Sequence, residues 1–383
     1  MAASQQATKG QPAHGGKGMS WPSKVFEFNP AGLNWPYGVL VLDIMLVPLL
    51  VFDAIGHKVY LLSAVFGVLL AAIADPGGGY GHRASRVAVV ALIGAGLTAL
   101  GFGIGGDAWG WLVLAAFAVT LVAGLAVTFG VQSFIVALVL NVWFIVALGV
   151  AFSLPPHITS HIWAQVVAWA GGSALWIAAT FIWWLVRGRP DRPPPLLELP
   201  GDTTSRLPLT RPLVMFAVIR ALAMAGATAL WLGLDLSHGY WIPIAAMIAM
   251  RPSLAQSTLI SVQRLIGALI GAVAAGLLLL IPANEHGAQL VAITHGLEVV
   301  ALVLIMHAMA IQSCNYAFYT AVIAAAVLIL VDLPHPTNYG DEGDRVLWTL
   351  CGVGIGVLVM LLAGLLAKRA PAAKQPVPAG QAG

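Results

Sequence analysis

Between Arg86 and Arg187 the only Asp, Glu, Lys or Arg is Asp107. So long a stretch without charge has no use for water. A soluble domain carries roughly 25% charged residues, whereas this chain of 383 residues carries 9%, with 60% hydrophobic residues and a mean hydropathy of +0.91. Ordinary soluble enzymes and nucleic-acid binders are excluded. The chain reads as a polytopic membrane protein, all-α because only helices satisfy every backbone group within one spanning segment.

Apolar runs and their breakers predict about twelve transmembrane helices, at 37–55, 59–74, 86–105, 110–128, 132–152, 162–186, 212–234, 239–251, 260–281, 288–310, 311–331 and 346–367. Five units follow: an N-terminal tail (1–36), a first six-helix repeat (37–187), a Pro/Arg-rich linker (188–211), a second six-helix repeat (212–368) and a C-terminal tail (369–383). The N-terminal tail lacks the apolar core of a signal peptide. Of the 18 Lys and Arg residues, fifteen fall on the side that holds the tails and the linker. Lys58 and Arg345 fall opposite, and Arg220 falls within a span. Cytoplasmic loops are rich in Lys and Arg, so tails and linker are expected in the cytoplasm. Trp109, Trp111, Trp163, Trp241 and Trp348 mark the outer interface and Trp183 and Trp184 the inner one. Cys314 and Cys351 lie in apolar segments and encode neither a disulfide framework nor a zinc cluster.

The two halves repeat at an offset near 180. Gln132-Ser133 answers Gln312-Ser313, Leu154-Pro155 answers Leu333-Pro334, Tyr60 answers Tyr240, Arg86 answers Arg264 and Gly172 answers Gly352. An even number of spans per repeat makes the repeats parallel, related by a pseudo-two-fold axis along the membrane normal. The second and eighth spans are short and stop at Asp75-Pro76 and Arg251-Pro252. Irregular helices at matching places in two repeats point to a transport site.

Candidate residues follow from polarity inside the membrane, where an ionisable group is costly and marks function. Arg86 and Arg264, at the inner ends of the third and ninth spans, read either as anchors snorkelling to headgroups or as a guanidinium pair for a carboxylate, which Arg meets bidentately. Arg220 lies two turns into the seventh span, where it either snorkels or pairs with Asp43. His295 and Glu298 are three apart on one helix face and suit a proton relay, because His changes charge near neutral pH. A plain interhelical hydrogen bond is the alternative. Gln312, Tyr316 and Tyr319 stand at i, i+4 and i+7, as either interhelical glue or the lining of a passage. Gly267 with Gly271, and Gly352 with Gly356, let neighbouring backbones approach closely. There is no Walker lysine loop, nucleophile elbow or His-Glu-x-x-His. No enzymatic activity, cofactor, metal or nucleic-acid partner is expected.

From Arg220 onward the sequence resembles the fusaric acid resistance-like family of integral membrane transporters, the aromatic acid exporters. The resemblance rests on Gly239-Tyr240-Trp241, Arg251-Pro252-Ser253, Gln263-Arg264-x-x-Gly267-x-x-x-Gly271 and Arg345-x-x-x-Thr349-x-x-Gly352. The first half looks like a diverged copy that keeps Arg86 but has Gln165 where Arg345 would fall. The resemblance implies efflux of aromatic or other organic acids and a distant kinship with plant malate channels. Larger members of similar pattern carry a substantial cytoplasmic domain, which the short linker here does not match. The expectation is a proton-driven exporter of small organic anions in the bacterial inner membrane, both termini cytoplasmic. Arg86, Arg220, Arg264, Gln312, Tyr316 and Tyr319 would meet the substrate, and His295 and Glu298 would couple the proton. A passive anion channel and a non-transporting scaffold are the rivals, and assembly into a homo-oligomer is left open.

Overall fold

The computed structural model describes residues 25–77, 79–153, 161–186, 208–250, 258–282, 287–332 and 339–369. Among them are twelve longer α-helices: α1 (Trp35–Ala54), α2 (Leu61–Ala74), α3 (Tyr80–Ile104), α4 (Trp109–Leu125), α5 (Val131–Ser153), α6 (Ile162–Val186), α7 (Arg211–Gly233), α8 (Trp241–Ala249), α9 (Thr258–Leu279), α10 (Gly287–Ile311), α11 (Tyr316–Asp332) and α12 (Tyr339–Arg369). Seven of them, α1, α3 to α7 and α10, are long and apolar enough to cross a membrane. The chain is a multi-pass membrane protein. The linker at 188–211 and both tails lie mostly outside the described residues.

Local chemistry sets the ends. Asn34 caps α1 by accepting from the Tyr37 N–H (3.2 Å), with Pro36 in the first turn, where a missing N–H costs nothing. Asp75 leaves the helical region at the end of α2, just before Pro76. Three boundaries differ from the sequence reading by five residues or more. α3 starts at Tyr80, six residues before the expected start, which puts Arg86 inside the helix rather than at its end. α11 starts at Tyr316 because Asn315 Oδ1 accepts from the Ala317 and Phe318 N–H groups (2.7 and 3.1 Å), the geometry of an N-cap. Gln312 therefore sits in the preceding turn and does not share a helix face with Tyr316 and Tyr319. α12 starts at Tyr339, earlier than expected, and takes Asp341, Glu342 and Asp344 into its first turns, where the helix dipole favours acidic residues.

The short helices occupy the interior. α2 has 14 residues and α8 nine; at 1.5 Å per residue these reach roughly 21 and 14 Å, short of a ~30 Å hydrocarbon core. Nearly all of α2 is buried, as is α8 from Trp241 to Met247. A helix apolar all round belongs in a core. α2 packs on α6 and α8 packs on α12. In each pair a glycine permits the contact: a Cβ at Gly172 would run into the carbonyl of Ala64, and one at Gly352 into that of Ile242. Gly356 meets Ala246 and Ala249 in the same way.

Other pairings recur at a six-helix offset. α3 packs on α5 and α6, and α9 on α11 and α12; α4 packs on α5, and α10 on α11. Between the halves, α4 packs on α7 and α10 on α1.

The residues before α1 are tied to the second half. The Val25 carbonyl accepts from Gln263 Nε2 (2.9 Å) and Asn315 Nδ2 (3.0 Å), and the Glu27 carbonyl from Asn315 Nδ2 (2.8 Å). The N–H groups of Asn29 and Asn34 donate to the carbonyls of Cys314 and Ala310.

Candidate functional site

The densest set of charges sits where α1 meets α10. Lys58 Nζ, in the turn after α1, lies 3.0 and 3.3 Å from the Glu298 carboxylate and 3.2 Å from Asp53 Oδ1. His295 Nε2 is 2.6 Å from Lys58 Nζ and 3.0 Å from Asp53 Oδ1, and its Nδ1 is 2.7 Å from the Val291 carbonyl. Glu298 is buried, whereas Asp53 and His295 are partly open. One helical turn brings His295 and Glu298 to the same partner.

Hydrogen-bond logic gives this cluster two states. A carbonyl only accepts, so His295 Nδ1 carries a proton toward Val291. Neutral His295 then has a bare Nε2 that accepts from the Lys58 ammonium. Protonated His295 donates from Nε2 to Asp53 instead and repels Lys58. One proton thus exchanges one bond across the α1–α10 seam for another.

A second ion pair closes the end of α2. Arg83 Nε and Nη2 donate to Asp75 Oδ1 and Oδ2 at 2.7 and 2.5 Å, a bidentate fork. Trp176 Nε1 (3.2 Å) and the Gly77 N–H (3.0 Å) complete the carboxylate's partners. Gly77 has φ +68, a left-handed conformation that lets the chain turn back onto Asp75. Tyr37 of α1 packs edge-on against Trp176 and donates to the Ala72 carbonyl.

A cavity of about 870 Å³ lies among α3, α4 and α5. Its walls are aliphatic apart from Phe129, and four of its polar residues gather at the end where α3 begins: His82, Ser85 and Arg86 from α3 with Ser133 from α5. At the other end is Asn141, fully buried, whose amide donates to Thr120 Oγ1 (3.0 Å).

The residues singled out from sequence are distributed over several places. Arg86 lines the cavity. Arg220 is 1% exposed on α7, its guanidinium 5.4 Å from the centre of the Phe134 ring of α5, within cation–π range. It does not pair with Asp43, which turns outward from α1, while α7 packs on α4. Tyr316 and Tyr319 face each other on α11, ring centres 5.9 Å apart, away from the cavity walls. Arg264 belongs to α9, but its side chain lies outside the described residues, as does that of Arg345. Gly267 and Gly271 press on the carbonyls of Ala317 and Ala321 in α11. No group of three or more His, Cys, Asp or Glu among the described residues is placed to hold a metal ion.

Sequence reasoning assigned no role in the chemistry to Lys58, Asp53, Asp75 or Arg83. Lys58 served only as an orientation charge. Its signal was its position within one loop of Asp53, at the end of a span.

No curated protein and no solved structure matches the chain. Residues 222–359, from α7 through most of α12, match the family model described as fusaric acid resistance protein-like.

Proposed function

We propose that this membrane protein exports small organic anions, aromatic carboxylates among them, at the expense of the proton gradient. The observation that carries the coupling is His295 Nε2 standing between Lys58 Nζ and Asp53 Oδ1 at the seam of the two halves. Protonation from the outer side switches His295 from Lys58 to Asp53. Lys58 is then left to Glu298 and Asp53, and the contact between α1 and α10 is rebalanced. Arg86 and Arg220 supply positive charge within or beside the spans, which selects for anions. The family match supports a transporter of the fusaric acid resistance type.

In this reading all twelve helices belong to two parallel halves related by a pseudo-two-fold axis. The recurrence of helix pairings at a six-helix offset supports it. The bias of Lys and Arg supports cytoplasmic termini in a bacterial inner membrane. The halves rock about the α4–α7 and α1–α10 contacts, the usual manner of alternating access.

The test is uptake of labelled benzoates into inside-out vesicles, with and without an imposed pH gradient. Gradient-driven accumulation should appear, and Glu298→Gln should reduce it to the downhill rate. Downhill flux indifferent to the gradient would mean a channel. No flux of any acid, with folded protein, would mean a scaffold.

A further inference from the structure

We infer that the cavity among α3, α4 and α5 is a binding site for an amphiphilic carboxylate, a molecule with a flat or extended apolar body and one anionic end. Where its ligand is a free aromatic acid, the site rests on the transport reading above. The family match covers residues 222–359, so this site lies wholly in the other half of the chain.

The reason it is open is a pair of substitutions between the halves. With Arg86 set against Arg264, Val89 falls opposite Gly267 and Ile93 opposite Gly271. With Ser133 set against Ser313, Ala137 falls opposite Ala317 and Asn141 opposite Ala321. In the second half the two glycines let α9 lie directly on the backbone of α11, touching the carbonyls of Ala317 and Ala321. In the first half Val89 and Ile93 stand at those places and, with Ala137 and Asn141, line the cavity. At this end the aliphatic side chains hold α3 off α5, which it meets closely farther along, at Gly101 against Ala147, and the space that glycine closes in one half is a slot in the other.

The slot fits the ligand class on three counts. A volume of about 870 Å³ falls within the roughly 300–1,000 Å³ of small-molecule sites. Its walls are apolar along their length, while Arg86, His82 and Ser85 stand at one mouth. The Arg86 guanidinium suits a carboxylate, and the apolar walls suit the rest of the molecule. The slot also opens sideways: Val89 and Val122, on facing walls, are 57% and 70% exposed. Apolar residues so exposed on a membrane protein face lipid, so an amphiphile dissolved in the bilayer enters without crossing water.

The experiment is photolabelling of the full-length protein in lipid nanodiscs with 4-benzoylbenzoate, followed by peptide mapping. Label should fall on residues 82–97 and 118–141. Arg86→Gln should lower it at least tenfold, and Val89→Trp, which fills the slot, should abolish it. Competition separates the sources of the same chemistry: displacement by 1-naphthoate identifies a free aromatic acid, and displacement by oleate alone identifies a membrane fatty acid. Either supports the site. Label on α9 to α12, label undiminished in Arg86→Gln, or displacement by neither competitor overturns it. The map on the unaltered protein decides even if a variant fails to fold. A protein that labels as expected but moves no acid in vesicles loses the transport reading and keeps the slot. One that transports acids but labels elsewhere loses the slot alone.

Discussion

Replacing Arg83 by glutamine should harm the protein more than replacing Arg83 and its partner Asp75 together. The Asp75 side chain is 1% exposed and that of Arg83 11%, so water screens little of their interaction. Asp75 also stands at the C-terminal end of α2, where the helix dipole disfavours a negative charge. Arg83 is what makes a carboxylate tolerable there. Arg83→Gln leaves that carboxylate buried with only the Trp176 and Gly77 N–H donors, and an uncompensated buried charge costs roughly 3–5 kcal/mol. Asp75→Asn keeps an acceptor for Gly77 but loses two charge-assisted bonds. At about 1.5–3 kcal/mol each, the loss is of similar size. In the double variant Asp75→Asn/Arg83→Gln two neutral amides face each other, and the buried charge is gone. The coupling should therefore exceed about 1 kcal/mol, within the 0.5–3 kcal/mol found for contacting pairs. The assay is reversible unfolding in mixed micelles of SDS and a mild detergent, followed by tryptophan fluorescence. Additive costs, or a double variant less stable than Arg83→Gln alone, would refute the reasoning.

Two further outcomes can be checked in the same assay. Gly267→Val should destabilise by at least the roughly 1–3 kcal/mol of an overpacked core, because its side chain would meet the Ala317 carbonyl in α11, whereas Gly296→Val, at an open position, should cost under ~1 kcal/mol. Asn315→Ala removes the cap of α11 and two bonds to the segment before α1; it should cost about 1–2 kcal/mol and hasten limited proteolysis ahead of Asn34, read as a shortened chain on a gel.

Helix number and type were legible because apolar runs report them directly, and most boundaries fall close to the observed ones. α11 was misplaced because Asn315 looked like one more polar residue in an apolar run, and capping depends on where its side chain points. The tryptophans divide in the same way. Trp109, Trp111 and Trp163 are exposed, but Trp241 is buried, because it opens α8, an interior helix packed on α12. His295 and Glu298 could be grouped from their spacing on one helix. Their link to Lys58 and Asp53 spans some 240 residues, and no periodicity carries that information. The cavity was hidden for another reason. Glycine was read as a packing residue where it occurs, while the absence of glycine at Val89 and Ile93 carried the complementary meaning.

The ties between Val25 and Glu27 and Asn315 cross about 290 residues of chain. During synthesis the opening segment leaves the ribosome long before its partner exists. At roughly 5–20 residues per second, it waits on the order of 15–60 s for Asn315 to follow. Until then it is a backbone with carbonyls to satisfy, and α1 enters the bilayer without α10 beside it. Assembly thus reaches back along the chain: residues made some 290 positions earlier are still waiting when Asn315 is made, and their docking follows the arrival of α9 and the cap of α11.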